Sequence, residues 1–489
     1  MEANPGAGAD DAATETGMND RNRAHAVRPN EGTPIIMNST LVKKIIYPLH
    51  EKVFGRKTFE YLDELEKQQW LSHEELEEIR FRKLRGLLQH AGENIPFYKE
   101  RFAQAGFSPD KMQDIDDLRK IPLLGKSEIK ANLESMTWQD CPGGLHRYNT
   151  GGSSGEPLIF YFDRRRQAMD KAARMMTHRW WGADVGDREL YLWGSPLEIK
   201  KQDRMKNLRD RLTNELLISA FEISEQNVPG IYDAFKGFRP KSVFGYPSTI
   251  ALFGEMAGKQ GRPLYDLGVE VVFSTAEVLY DHQREAISKH FGGVPVVDSY
   301  GSREGGFVSH QCREGTYHVM DSNFVVEYLH DGEPAGEGED GEIVLTHFDN
   351  WGMPFIRYRT GDVAQPGFGG CACGRGLSVM RKIRGRTTDF IVTPDGRWQH
   401  ALSLIYVVRD IEGVEEFKIV QEEVDDLRVL IKIIDSLYPG DGDERIVAGF
   451  KKRMGEMIRV RVDKVDEIPR DASGKYRYVV SKVAEKGLV

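Results

Sequence analysis

Apolar positions set the first rhythm in the chain. After Ser72, Leu76, Ile79, Leu84, Leu87 and Leu88 fall on one face of a helix. Ser72-His-Glu-Glu75 has the form of a capping box, with Glu75 able to reach back to the Ser72 N–H, so the helix opens there. It should close before Asn94-Ile95-Pro96, because proline disfavours helical geometry in the residue before it. Residues 40–130 are therefore expected to be largely helical, with no chemistry beyond packing. A further helical pattern over residues 164–182 carries the pair Trp180 and Trp181.

Farther along, the period shortens. Apolar runs around Val243, Val271 and Val296 read as strands, separated by helical patterns over residues 248–259 and 281–290. Strands alternating with helices in this way build βαβ units and a parallel sheet, and such sheets gather ligands at the carboxyl ends of their strands. Three polar-aromatic sequences stand at those ends: Phe244-Gly-Tyr-Pro247, Phe273-Ser-Thr-Ala-Glu277 and Asp298-Ser-Tyr-Gly-Ser-Arg-Glu304. Residues 317–363 then alternate apolar and polar positions between turns, as a β-rich subdomain would. A glycine-dense break at residues 365–376 follows, and then Arg384-Gly-Arg-Thr-Thr-Asp389.

Beyond the break lies an α+β piece of autonomous-domain size. It contains a helix near 401–409, two strands within 416–434, a helix near 444–458 and a final strand near Val460. The expected fold is α/β: a large amino-terminal domain with parallel-sheet βαβ units and a β-rich subdomain, plus a small mobile α+β domain. The boundaries read as a disordered tail at 1–34, a large domain at 35–384 and a small domain at 385–489.

Composition narrows the class. The 489 residues exceed one ordinary core, and 40% hydrophobic content is enough to fill several. A net charge of −9 argues against a nucleic-acid binder, which would present a basic face. Cys141, Cys312, Cys371 and Cys373 are too few for a secreted disulfide scaffold, so a reducing cytoplasm is the expected location. The polar first residues lack the apolar core of a signal peptide, and no run reaches the roughly 20 apolar residues of a membrane span.

The chemistry starts at Tyr148-Asn-Thr-Gly-Gly-Ser-Ser-Gly-Glu-Pro157. Backbone N–H groups that turn inward beside Ser and Thr hydroxyls form a concave donor set suited to phosphate. It is not the P-loop of nucleotide kinases, which needs lysine where Glu156 stands.

With Asp298-Ser-Tyr-Gly-Ser-Arg-Glu304, Tyr358-Arg-Thr-Gly-Asp362, Gly385-Arg386 and Pro469-Arg-Asp-Ala-Ser-Gly-Lys475 in order behind it, that loop resembles the adenylate-forming ligase superfamily, within it the phenylacetate–CoA ligase and CapK-like family. The resemblance runs over residues 60–485. It implies that Thr150, Gly151, Gly152, Ser153, Ser154 and Gly155 grip the ATP phosphates, with Glu277, Ser299, Gly301 and Ser302 also around the nucleotide. It puts Tyr300 on adenine, Glu304 on Mg²⁺, Asp362 on the ribose hydroxyls and Arg386 near ribose and phosphate. Lys475, with Glu304 and Thr150, would serve catalysis, and Phe244, Tyr246 and Pro247 would wall the acyl pocket.

The implied reaction joins a carboxylic acid to ATP, releases pyrophosphate and passes the acyl group to CoA. An amine, a glycan hydroxyl or a carrier protein is the alternative acceptor, and an inactive nucleotide-binding homologue is the competing class. Three features depart from the pattern: Thr388 at the usual hinge aspartate, with Asp389 next to it; Thr275-Ala276 where glycines are common before Glu277; and residues 394–400 in place of a glycine-centred pantetheine segment. Cys312, His318, Cys371 and Cys373 form a candidate structural zinc set, with His310 as a rival ligand.

Overall fold

Ser72 caps its helix as its sequence requires. The Ser72 hydroxyl accepts from the Glu75 N–H at 3.2 Å, and the Glu75 carboxylate accepts from the Ser72 N–H at 2.8 Å. The helix runs His73–Asn94, and Pro96 starts the next one, Pro96–Gln104. Leu76, Leu84, Leu87 and Leu88 are buried, and Ile79 is half-buried. The computed structural model describes residues 36–150, 158–193, 209–220, 223–386, 390–394, 398–400, 402–469 and 476–485.

A short antiparallel pair, β1 (His146–Asn149) and β2 (Ile159–Phe162), leads into the helix Arg164–Arg179. Five parallel strands follow: β3 (Glu189–Leu192), β4 (Glu215–Ile218), β5 (Ser242–Gly245), β6 (Val271–Thr275) and β7 (Val296–Ser302), side by side in the order β4-β3-β5-β6-β7. Leu190, Val243 and Val272 point to one face, where the helices Val228–Phe238, Pro247–Lys259 and Asp281–His290 cover them. Tyr191, Phe244 and Phe273 point to the other, against Arg164–Arg179.

At β7 the sheet changes character without ending. β8 (Gly306–Gln311) turns back antiparallel, and β9 (Tyr317–Val319), β10 (Phe324–His330), β11 (Glu333–Pro334), β12 (Gly341–His347), β13 (Tyr358–Pro366) and β14 (Val379–Arg386) extend it to twelve strands. The β-rich part is thus continuous with the parallel half.

The carboxyl-terminal part has its own core of Phe417, Ile419, Val429, Ile431, Ile446 and Phe450. Its sheet pairs β17 (Val414–Glu423) with β18 (Asp426–Ile433), flanked by β19 (Arg459–Lys464) and β20 (Val479–Ser481). Before it lies the two-stranded pair β15 (Phe390–Val392) and β16 (Trp398–His400). The helices Leu402–Arg409 and Gly442–Met454 stand where they are expected, whereas β20 comes after the strand taken as final. Among the described residues no helix is long and apolar enough to cross a membrane.

Candidate functional site

The carboxyl end of β7 is where the polar side chains converge. Its hairpin with β8 is tight because Gly306 sits at φ +105°, where a side chain is strained and a Cβ would collide with Arg166. The turn presents Glu304, whose side chain is nearly buried. Tyr358 donates to its carboxylate at 3.1 Å, and the Lys126 ammonium stands 3.9 Å away. Lys126 lies in a region expected to do nothing but pack, so this contact is a correction to that expectation. A lone lysine on a short helix carries no sequence sign of its reach across the fold.

The turn is held from beneath by Arg166 and Asp170, one helical turn apart on Arg164–Arg179 and paired at 2.6 Å. Arg166 donates to the Glu304 carbonyl at 3.4 Å, and Asp170 accepts from the Phe307 N–H at 3.4 Å and faces His347 at 3.3 Å. Burial works against the Asp170 carboxylate, but Arg166 and His347 outweigh it and hold its pKa down at about 2. Burial in turn drives His347 down to about 4. Ser302 accepts from the Gly305 N–H at 2.7 Å, and the Ser299 hydroxyl donates to the Ser274 carbonyl at 2.9 Å. Behind the strand, burial raises Asp298 to about 6, and Tyr317 donates to it at 2.5 Å.

Thr150 closes the neck of the glycine-rich loop. Its N–H donates to the Leu158 carbonyl and its hydroxyl accepts from the Leu158 N–H, both at 3.0 Å. Gly151, Gly152, Ser153, Ser154 and Gly155 lie outside the described residues. Arg303, one residue before Glu304, donates to the Asn149 carbonyl at 2.9 Å, so the neck is tied to the β7 turn.

Tyr300 donates to Asp362 at 2.9 Å, which brings two of the expected nucleotide residues together. Asp362 pairs across β13 and β14 with the backbone of Arg386. Glu277 joins the two domains: it accepts from the Ser248 N–H at 3.2 Å and from the Tyr476 N–H at 2.9 Å. Tyr476 follows directly on Lys475, itself outside the described residues along with Thr388 and Asp389. Arg409 adds a second bridge, with its guanidinium 2.6 Å from His282 Nδ1. Ala276 takes φ +68°, the left-handed conformation for which glycine is the usual choice.

Phe244 and Tyr246 stand at the carboxyl end of β5 and share an aromatic corner with Trp193, whose ring is 4.4 Å from Tyr246 and 5.6 Å from Phe244. Pro247 opens the following helix. Trp193 is absent from the sequence expectation because nothing local marks it. Below the corner Arg174 lies 4.6 Å over Phe244 and bonds to Glu189 and Tyr191. Burial raises the nearby Glu215 to about 7.

Cys312, His318, Cys371 and Cys373 come together, with ligand atoms all within 4.8 Å of one another. The Cys312 and Cys371 sulfurs are 3.7 Å apart, and Cys373 Sγ is 3.2 Å from His318 Nε2. The pairing of β9 with β14, His318 opposite Val379, closes the set. His310 does not join it. Its ring is fully buried against His178, Trp180, Phe273 and Phe307, and burial drives it down to about 3.

Residues 391–482 match the CapK C-terminal domain. Over 471 residues the chain is 22% identical to the CapK protein of Staphylococcus aureus, across 92% of this chain and 98% of that one. It is 24% identical over 451 residues to a phenylacetate–coenzyme A ligase of Thermus thermophilus, across 84% and 97%. Its homologues are CapK and the phenylacetate–CoA ligases.

Solved structures agree on the fold. A 2-hydroxyisobutyryl-CoA ligase in the postadenylation state, in complex with R3-HIB-AMP, superposes with a TM-score of 0.68 at 17% identity over 86% of this chain and 93% of that one. The same ligase with 2-HIB-AMP and CoA in its thioesterification state gives 0.56 at 17% identity over 86% and 93%. Like these ligase structures, the chain places a small carboxyl-terminal domain after a large α/β one.

Proposed function

We propose that this protein is an ATP-dependent carboxylate ligase that forms an acyl-adenylate with release of pyrophosphate and then passes the acyl group to CoA. The observation that carries the reading is the convergence on one sheet end of Glu304, the Tyr300–Asp362 pair and Glu277. The phosphate-loop neck is tied to the same turn through Arg303. The phenylacetate–CoA ligase relatives support CoA as acceptor.

In this reading the loop at residues 150–155 binds the phosphates through backbone donors. Asp362 accepts from the ribose hydroxyls, for which an acceptor-only group is suited, and Tyr300 orients it. Ser299, Gly301, Ser302 and Arg386 complete the nucleotide surroundings. One Glu304 oxygen is engaged by Tyr358, and a second carboxylate oxygen suits the hard cation Mg²⁺, which when bound would neutralise phosphate charge. Lys126 adds a positive charge beside it, suited to the leaving pyrophosphate. The acid carboxylate attacks the α-phosphorus, and the bond to the pyrophosphate oxygen breaks. Trp193 joins Phe244, Tyr246 and Pro247 as a wall of the acyl pocket. The small domain is read as starting at about residue 385, where β14 (Val379–Arg386) ends the large sheet's chain. CoA is tested by AMP release: with a productive acid, CoA should speed it. Faster release with an amine, a glycan or a carrier protein instead would reassign the acceptor.

Asp362→Ala should raise the ATP concentration required about 5- to 150-fold, the equivalent of roughly 1–3 kcal/mol for hydroxyls left without their acceptor. Deoxy-ATP should then differ little from ATP. An unchanged ATP dependence in steady-state kinetics removes Asp362 from the nucleotide site.

The cysteine set is read as a structural zinc site. A tetrahedron with zinc–sulfur bonds of about 2.3 Å has sulfur–sulfur edges of about 3.8 Å, close to the 3.7 Å between Cys312 and Cys371. His318 Nδ1 lies 3.4 Å from the Leu377 carbonyl, which fixes the ring with Nε2 toward the thiols. Elemental analysis of protein purified without added metal should find one zinc per chain. Cys371→Ser/Cys373→Ser should lose it and lower Tm; zinc retained in that variant refutes the site.

A further inference from the structure

The helical stretch that precedes the main domain is apolar on two opposite sides. Over Ser39–Leu41, Val42–Ile46 and Tyr47–Val53 it turns Val42, Ile46 and Tyr47 into the large core. Glu51 also points inward, where it is bonded to Thr58, Lys171 and Arg56. On the outside, Leu41, Ile45, Leu49 and Val53 recur every four residues and are 39%, 57%, 58% and 74% exposed, followed by Phe54 at 49%. Single exposed apolar residues are ordinary, but a helix-long aliphatic stripe marks a surface that meets a partner.

Charge identifies the partner. Glu51, buried, is the sole acid in residues 36–57, whereas Lys43, Lys44, Lys52, Arg56 and Lys57 lie within the same stretch of a chain with net charge −9. Lys43, Arg56 and Lys57 are paired with Asp184, Glu51 and Glu60, which leaves Lys44 and Lys52 to carry the charge of the outer face. Lys44 and Lys52 are exposed on the flanks of the stripe and make no salt bridge among the described residues. The cationic rim continues around the following turn. The Arg164 guanidinium lies against Gly55 and Gly143. A second copy docked about a two-fold axis would set this basic patch against itself. An anionic bilayer meets both halves of the pattern. The aliphatic side chains enter the boundary between headgroups and acyl chains, and the lysine stems extend to the phosphates.

We propose that the outer face of Ser39–Val53 is a peripheral docking surface for anionic phospholipid membranes, on which the helix lies in the plane of the interface. Nothing in the proposal depends on the ligase reaction. Two variants of the full chain separate the contributions: Lys44→Glu/Lys52→Glu and Ile45→Asp/Leu49→Asp, all four side chains on the exposed or outer face of the segment.

In co-sedimentation the parent should bind vesicles of phosphatidylglycerol mixed with phosphatidylcholine, should bind less at high salt, and should ignore phosphatidylcholine alone. Reversing the two lysines should weaken binding at least ~30-fold at low salt, from a factor of about five per charge removed. The aspartates should abolish it. Binding of both vesicle types alike, or of neither, overturns the proposal. So does a parent that sediments as a dimer without touching vesicles and becomes monomeric in the Ile45→Asp/Leu49→Asp variant, since the stripe would then be an interface between copies.

Discussion

Lys475→Ala is expected to lower acyl-adenylate formation by about 10²- to 10³-fold, the scale on which a single charge-stabilising donor contributes to a transition state. The same variant, given preformed acyl-adenylate and CoA, should transfer the acyl group at close to the parental rate. The expected asymmetry rests on the domain to which Lys475 belongs in the sequence. Lysine is a point charge on a long stem, suited to the carboxylate and α-phosphate as their negative charges meet. It belongs to the small domain, whose adjacent residue Tyr476 donates its backbone N–H to Glu277 of the large domain. Arg409 on His282 and the Tyr280 ring against Tyr478 add to the contact there, and the account requires this interface to release when the small domain rotates away and opens the adenylate to its acceptor. Rapid-quench measurement of each half-reaction is the check. If both fall equally, the rotation account is wrong; if neither falls, Lys475 is a surface residue.

Glu304→Gln carries the other large effect. Glutamine keeps the size and can still accept from Tyr358, so the turn held by Arg166 and Asp170 should remain folded. What disappears is the negative charge that suits Mg²⁺ and faces Lys126. Adenylation should drop by about 10²- to 10³-fold, with a higher Mg²⁺ requirement, while Tm stays near that of the parent. A titration of adenylation against Mg²⁺ separates the possibilities. Equal loss at every Mg²⁺ concentration would make Glu304 an electrostatic neighbour of the chemistry and not a holder of the ion.

Local rules made the elements legible and left the long-range contacts obscure. The Ser72 capping box and the strand ends at Gly245, Thr275 and Ser302 follow from period and caps, which act over a few residues. Tyr300 and Asp362 were each visible through the resemblance, with separate roles, and the hydrogen bond that joins them is legible only in the structure. Lys126 and Trp193 were not visible, because one lysine or one tryptophan has no periodic signature and acquires meaning when distant strands come together. Strand β20 escaped for the same reason: its three residues pair in parallel with β17, some sixty positions earlier. The cysteine set sits between these cases. Its residues stood out by rarity, but only the pairing of β9 with β14 separates His318, which joins, from His310, which turns into the aromatic layer. The Thr275-Ala276 departure also has a structural trace, since Ala276 occupies a left-handed position at a cost of about 1–2 kcal/mol.

The most direct test of the central claim is exchange of labelled pyrophosphate into ATP across a broad panel of carboxylic acids, run without CoA. An acyl-adenylate former exchanges label in the presence of its own acid, because the first half-reaction reverses without an acceptor. The account predicts acid-dependent exchange for at least one member of the panel, abolished by Glu304→Gln and by Lys475→Ala. Nucleotide binding with no exchange for any acid would contradict it, and would leave a protein that keeps the ligase fold without its chemistry.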